Sequence, residues 1–367
     1  MSSIFAQAGL TRVTLRHIGL GKLVDLCQTL GYSDRRTQRA ADTFDLLSPH
    51  LAGAEFQREP PWPSDITDDG TPFEFSIAFH EGETDLRLLV EPQAPPTTLH
   101  SNWAAGLGVN RELVAAAGAD DSAFRAVHDL FAPGDCTDAH FALWHAAVIE
   151  EDGTRLFKLY VNPRIHGESR ANELVERAFV QLGYGAAWQQ FLASRLAEPG
   201  ASVRYLSLDL LPSSVARLKV YVAQEGSAER IAGLSTGASN IRPGDVQSWI
   251  AALANRSDGF DQRPILTCFS FSACSPVPAA TIHVPVRCYL DHDADAAARV
   301  AAFLSEREVA TFERVLKSLA RTPLRDSRGL ITYASLRREK SGAIRVTLYL
   351  APQIYSTTRR PSLKSGY

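Results

Sequence analysis

Four short segments place basic residues and a tyrosine at every second position: Lys158-Leu-Tyr160, Arg217-Leu-Lys219-Val-Tyr221, Arg287-Cys-Tyr289 and Arg345-Val-Thr-Leu-Tyr349. Side chains of a β-strand alternate between its two faces, so each set points the same way. Apolar residues fill the alternate positions, which makes the opposite face greasy. An ordinary half-buried strand turns its polar face to water and has no reason to repeat a tyrosine there. A fifth segment, Asp85-Leu-Arg87-Leu-Leu-Val-Glu91, fits the same scheme through Arg87. The pattern predicts one lumen lined with cations and phenol rings, suited to a compact polyanion beside an electron-poor group.

The matching positions Arg87, Lys158, Lys219, Arg287 and Arg345 lie 71, 61, 68 and 58 residues apart, an internal repeat of five units. Each unit holds a pair of strand-like stretches around a turn signal. The pairs are Phe73–Phe79 with Leu86–Glu91, Phe141–Ile149 with Leu156–Asn162, Val203–Leu211 with Ala216–Ala223, Ile265–Phe271 with Ala280–Leu290, and Leu330–Leu336 with Ile344–Leu350. Between them, Glu168–Leu182, Gly244–Leu253, Asp293–Phe303 and Glu306–Leu319 show apolar residues at helical spacing. Ten antiparallel strands closed on themselves have no free edges and can enclose a ligand cavity. The expected fold is therefore α+β: a ten-stranded antiparallel β-barrel with a solvent-filled lumen, surrounded by a ring of α-helices. No proline- or glycine-rich linker divides the chain, so residues 1–355 read as one domain and 356–367 as a disordered basic tail.

A hydrophobic content of 45% supplies a core, and a net charge of −3 gives no bulk attraction to nucleic acid or anionic membrane. The inward cations are therefore a local arrangement. Five scattered cysteines without CxxC spacing argue against a disulfide framework or zinc site and for a reducing compartment. The N-terminus lacks a signal-peptide core and no stretch reaches a membrane-span length, so the expected location is cytoplasmic.

The ordered segments FEFSIAF (Phe73–Phe79), LRLLVEP (Leu86–Pro92), KLYVNP (Lys158–Pro163), RLKVYV (Arg217–Val222), HVPVRCY (His283–Tyr289) and RVTLYL (Arg345–Leu350) resemble the aromatic prenyltransferases of the dimethylallyltryptophan synthase type. The resemblance runs from about residue 60 to residue 353. It implies the ten-stranded barrel called ABBA and the transfer of an allylic prenyl group from its diphosphate to an aromatic ring. The implied reaction moves dimethylallyl from dimethylallyl diphosphate to the indole of tryptophan, with no cofactor and no obligatory magnesium.

On that resemblance Arg87, Lys158, Arg217, Lys219, Arg287 and Arg345 bind the diphosphate, because fixed cations stabilise charge growing on a leaving group. The family often has glutamine at the place of Arg287 and tyrosine at that of Arg345, so this site is more cationic. The residues alone also allow these cations to be salt-bridged or solvated. Tyr160, Tyr221, Tyr289 and Tyr349 would shield the allylic cation, each well-placed ring contributing roughly 0.5–2 kcal/mol; alternatively they are core tyrosines. Glu74, the sole charge in FEFSIAF, would accept a hydrogen bond from the indole N–H, or else form a structural ion pair. Glu74 and Lys158 are the implied catalytic pair. Arg204 lies thirteen residues before Arg217, the spacing at which family members bind the tryptophan carboxylate.

The acids Asp291, Asp293 and Asp295 precede a helical run and read as capping residues, and Asp68-Asp69-Gly70 reads as a turn. His283 shares strand parity with Arg287 and Tyr289 and is either lumenal or a core histidine. A tryptophan-containing cyclic dipeptide, another indole or tyrosine are alternative acceptors. A non-catalytic anion-binding barrel explains the cations but neither the tyrosines nor Glu74.

Overall fold

Ten strands close into a single barrel in which every pairing is antiparallel and, apart from the closing β10–β1 pair, joins strands consecutive in the chain. They are β1 (Phe73–His80), β2 (Glu83–Val90), β3 (Leu143–Ile149), β4 (Arg155–Val161), β5 (Ala201–Asp209), β6 (Arg217–Gln224), β7 (Ile265–Ser272), β8 (Ser275–Val284), β9 (Ile331–Arg338) and β10 (Ile344–Leu350). Pairing of β10 with β1, Phe75 opposite Leu350 and Phe79 opposite Val346, closes the ring. This computed structural model describes residues 13–134, 139–150, 152–273 and 275–355. The expected tail 356–367, Cys136 and Cys274 lie outside the described residues.

The alternation seen in the sequence decides which face is which. Phe73, Phe75, Ile77 and Phe79 of β1 point outward and are buried beneath helices, as are Leu159, Val161, Val220 and Val222. The covering layer includes helices Leu15–Thr29, Asp34–Leu47, Leu99–Ala117, Ala171–Gln181, Pro243–Ala254, Asp293–Ala301 and Glu306–Leu319. Side-chain caps from Thr14 and Ser33 start the first two of these, and a reciprocal capping box from Thr98 and Ser101 starts the third. Polar contacts also cross this greasy layer; His145, fully buried on the outer face of β3, bonds Asn110 at 2.7 Å. Burial pushes that imidazole down to about 3, so it is neutral.

Several strands end a residue or two before their expected ends, and one ends six residues early. The expected strand Ala280–Leu290 ends at Val284, because Pro285 has no N–H to offer the ladder. The chain then turns through a short helix, Val286–Tyr289. Arg287 and Tyr289 therefore leave the strand parity on which they had been aligned with the other cation–tyrosine pairs.

Candidate active site

All five β-hairpin turns lie at one end of the barrel and the helical connections at the other, which gives the lumen an axis. Lys158, Tyr160, Tyr221, Tyr333 and Tyr349 lie inside the ring of strands yet keep partly exposed surfaces, so side chains do not fill the interior. The hairpin half carries the charge. Asp209 takes Arg217 at 2.5 Å and Lys219 at 2.8 Å. Burial would raise its carboxyl, but the two cations outweigh that and hold it at about 2. Asp85 lies 3.9 Å from Arg87 and 3.7 Å from Arg345 and bonds His80 at 3.0 Å. Glu339 bonds Arg345 at 2.8 Å and lies 3.6 Å from Arg337. Arg87, Arg217, Lys219, Arg337 and Arg345 thus share three carboxylates, and Lys158 is a sixth cation beside them.

Lys158 carries the excess most plainly. It sits opposite Asp209 across the β4–β5 pair, but both Asp209 oxygens are engaged by Arg217 and Lys219. Among the described residues Lys158 forms no hydrogen bond or ion pair. Burial, with Lys219 and Arg87 nearby, pushes its ammonium well below the ordinary lysine value. An anion entering here relieves both penalties, which is the behaviour of a binding cation rather than a structural one.

An aromatic belt crosses the lumen next to the cations. Tyr160 and Tyr221 rings lie 5.8 Å apart, Tyr221 and His283 5.5 Å, His283 and Tyr349 5.6 Å, and Tyr349 and Tyr333 6.3 Å. Burial pushes the Tyr160 phenol up to about 12, so it is uncharged. His283, lowered to about 3 by burial and by Arg87 and Lys158, is a neutral imidazole. The place expected for Tyr289 is therefore taken by His283. Tyr289 instead packs its ring on Phe260 at 5.1 Å and donates its hydroxyl to the Arg263 carbonyl, in the core outside the belt.

The connection end is different again. Glu74 is 5% exposed and accepts from Thr332 Oγ1 at 3.0 Å; no cation pairs with it among the described residues. Burial pushes its carboxyl up to about 8. Arg287 is at this end, away from the cations of the hairpin half: it pairs with Asp68, which also takes Arg263 at 3.2 Å. Asp68 belongs to the turn expected at Asp68-Asp69-Gly70, where Gly70 has φ +80°. Arg204 occupies a bulge in β5 between Val203 and Tyr205, the device that re-aims a strand side chain. It is 8% exposed, and its Nε and Nη1 have no partner.

Several lumen residues escaped the sequence reading. Arg337 and Tyr333 alternate through Ser335 on β9, the same pattern in the strand expected over Leu330–Leu336, which stops one residue short of Arg337. Ile66, Phe141 and Trp144 form a second apolar cluster inside the barrel with Leu89, Tyr160 and Tyr205. Trp144 is signalled by its alternation with outward His145, whereas Ile66 arrives from a loop that no strand period marks. Asp293 does more than begin a helix: its carboxylate accepts from Ser327 Oγ and from the N–H groups of Gly329, Leu330 and Ile331, fixing the start of β9. Among the described residues, no group of three or more His, Cys, Asp or Glu side chains could hold a metal ion, and no helix is long and apolar enough to cross a membrane.

Comparison with known proteins agrees with this geometry. The tryptophan dimethylallyltransferase family matches residues 21–318. The structure is similar to 6-dimethylallyltryptophan synthase from Micromonospora olivasterospora, solved with DMASPP and Trp, at a TM-score of 0.85 and 29% identity, covering 94% of this chain and 99% of that one. It is similar to 5-dimethylallyl tryptophan synthase from Streptomyces coelicolor, also solved with DMASPP and Trp, at a TM-score of 0.84 and 30% identity, covering 96% and 98%. AnaPT from Neosartorya fischeri shares the fold at a TM-score of 0.77 and 16% identity, over 90% and 91% of the two chains. A closed ten-stranded lumen with cations at one end, an aromatic belt and a buried carboxylate beyond it is the ABBA barrel, and the chain belongs to the tryptophan dimethylallyltransferase family of prenyltransferases.

Proposed function

We propose that this enzyme transfers the dimethylallyl group of dimethylallyl diphosphate to the indole of free L-tryptophan, with its own side chains supplying the positive charge. The observation that carries the reading is the order along the lumen: excess cations, then neutral aromatic rings, then a carboxylate without a cation. The diphosphate enters the hairpin half, where Lys158, Arg87, Arg217, Lys219 and Arg345 meet it and Arg337 adds a sixth charge. Fixed cations in a low-dielectric site stabilise the oxygen that takes the electron pair as the C1–O bond breaks. The allylic cation forms against Tyr160, Tyr221, His283 and Tyr349, whose faces attract it and exclude water that would trap it as an alcohol. Indole π electrons form the new C–C or N–C bond, and loss of a ring proton restores aromaticity.

Glu74 accepts from the indole N–H. The ring gains positive charge in the transition state, so this contact stabilises it more than it stabilises bound tryptophan. Arg204 meets the carboxylate of the amino acid. The two structural relatives named for position 5 and position 6 of tryptophan are similar to this chain to almost the same degree, so the position alkylated is left to product NMR. The deciding test is incubation with dimethylallyl diphosphate and L-tryptophan, with pyrophosphate and prenylated product measured with and without EDTA. Prenyltryptophan formed at similar rates in both supports the reading. Product only from a tryptophan-containing cyclic dipeptide would move the acceptor, and activity abolished by EDTA and restored by magnesium would reject the side-chain charge mechanism.

A further inference from the structure

The loop before β1 holds three aspartates with different fates. Asp69 is tied into the loop itself, accepting from Thr67 Oγ1 at 2.7 Å and from the N–H of Thr71 at 3.1 Å. Asp68 is spoken for by Arg263 and Arg287. Asp65, half-buried, forms no hydrogen bond or ion pair among the described residues. Its position is nonetheless well fixed. Ile66, the next residue, inserts among Phe141 and Trp144 in the lumen cluster, and the Ile66 N–H is held by Ser64 Oγ at 3.3 Å.

Arg204 adjoins the same cluster. Its neighbour Tyr205 packs on Phe141 at 5.7 Å and on Trp144 at 5.3 Å. Glu74 faces it too, being paired across the sheet with Leu89, another member. One aromatic patch is thus flanked by an unpartnered guanidinium, an unpartnered carboxylate and the candidate indole-binding glutamate. We propose that Asp65 binds the α-ammonium group of the acceptor while Arg204 binds its carboxylate, so that this end of the lumen selects a free zwitterionic amino acid.

The inference rests on the acceptor reading above and deepens it. Arg164, Arg263 and His140 also lie around Asp65, and Arg164 is near Arg204 as well. Glu91, another acid beside Asp65, has its carboxyl pushed up to about 8 by burial, so Asp65 is the group that offsets these cations for an ammonium. Burial raises the Asp65 carboxyl above its ordinary value, and an ammonium partner would bring it down, so ligand charge and pocket charge satisfy each other. A cyclic dipeptide, with neither charge, offers no charged group to the buried Arg204 or the half-buried Asp65.

The test compares L-tryptophan with indole-3-propionate, which lacks the amine, by calorimetric titration of the full chain. Losing a charge-assisted contact at a half-buried site predicts that Asp65→Asn reduces the L-tryptophan preference about 10- to 100-fold, with Asp65→Glu restoring part of it. Arg204→Ala should instead weaken L-tryptophan while sparing tryptamine. An equal loss for L-tryptophan and indole-3-propionate in Asp65→Asn, or no loss, overturns the proposal, as does wild-type protein that does not prefer L-tryptophan. An Asp65-dependent preference without prenylated product upholds the recognition and rejects the acceptor reading. Prenyltryptophan with an Asp65-independent preference does the reverse.

Discussion

Whether Glu74 is ionised decides what it can do to an indole. Its carboxyl is pushed up to about 8 by burial, against the Thr332 hydrogen bond and the more distant Arg263, so at neutral pH in the unliganded enzyme most of it carries a proton. A carboxylate accepts more strongly than a carboxylic acid, and the group gains that form as pH rises. kcat/KM for tryptophan should therefore climb as pH passes through about 8, a limb reporting the free enzyme. Glu74→Gln should flatten it and lower the plateau roughly ten- to hundredfold, the worth of a charged over a neutral acceptor. A Gln variant with the wild-type profile would make Glu74 a partner of Thr332 and nothing more. Glu74 was legible because a lone charge in an apolar strand needs a reason. Lys158 was legible by parity, but its lack of a partner was not, since that depends on Asp209 being claimed from the neighbouring strand. His283 was ambiguous for the same cause: parity placed it on a face, and only the end of β8 showed that the belt needs it.

At the level of the element, period-two alternation marked all ten strands because each has one face against helices and the other in the lumen. β8 misled because a single proline outweighed four residues of favourable pattern, carrying Arg287 and Tyr289 out of the sheet. The N-terminal helices were harder to read, since their packing depends on contacts no local period displays. Helix Leu15–Thr29 is the example. A Cβ on Gly19 would lie 2.6 Å from Phe44 Cζ and 2.9 Å from Phe73 Cζ, rings packed edge to face at 5.2 Å. Gly21 in the same helix has nothing within 4 Å. Alanine favours a helix over glycine by up to about 1 kcal/mol, whereas overpacking a rigid core costs about 1–3 kcal/mol. Gly21→Ala should thus raise the urea midpoint and Gly19→Ala lower it. Equal shifts of one sign would mean that the helix does not press on β1 as described.

Across the whole molecule, the separation of charge along the lumen makes stability depend on what occupies it. Six basic side chains against three carboxylates in the hairpin half repel one another in the empty barrel, and a ligand that binds only the folded chain stabilises it by mass action. Inorganic pyrophosphate at a hundred times its Kd should add about 2.7 kcal/mol. For a chain of this length, unfolding entropy converts that to a Tm rise of roughly 4 °C. Asp209→Asn sharpens the test. Removing the carboxylate that holds Arg217 and Lys219 leaves more uncompensated charge, so the unliganded variant should melt below wild type. The freed cations should then bind pyrophosphate more tightly, so at one fixed concentration its Tm rise exceeds that of wild type. Both rises should persist in EDTA, because the charge belongs to the protein, and sodium chloride at equal ionic strength should not reproduce them. A pyrophosphate shift no larger than that of chloride, or one that EDTA removes, would mean that the lumen cations are neutralised by their own carboxylates and do not form the diphosphate site.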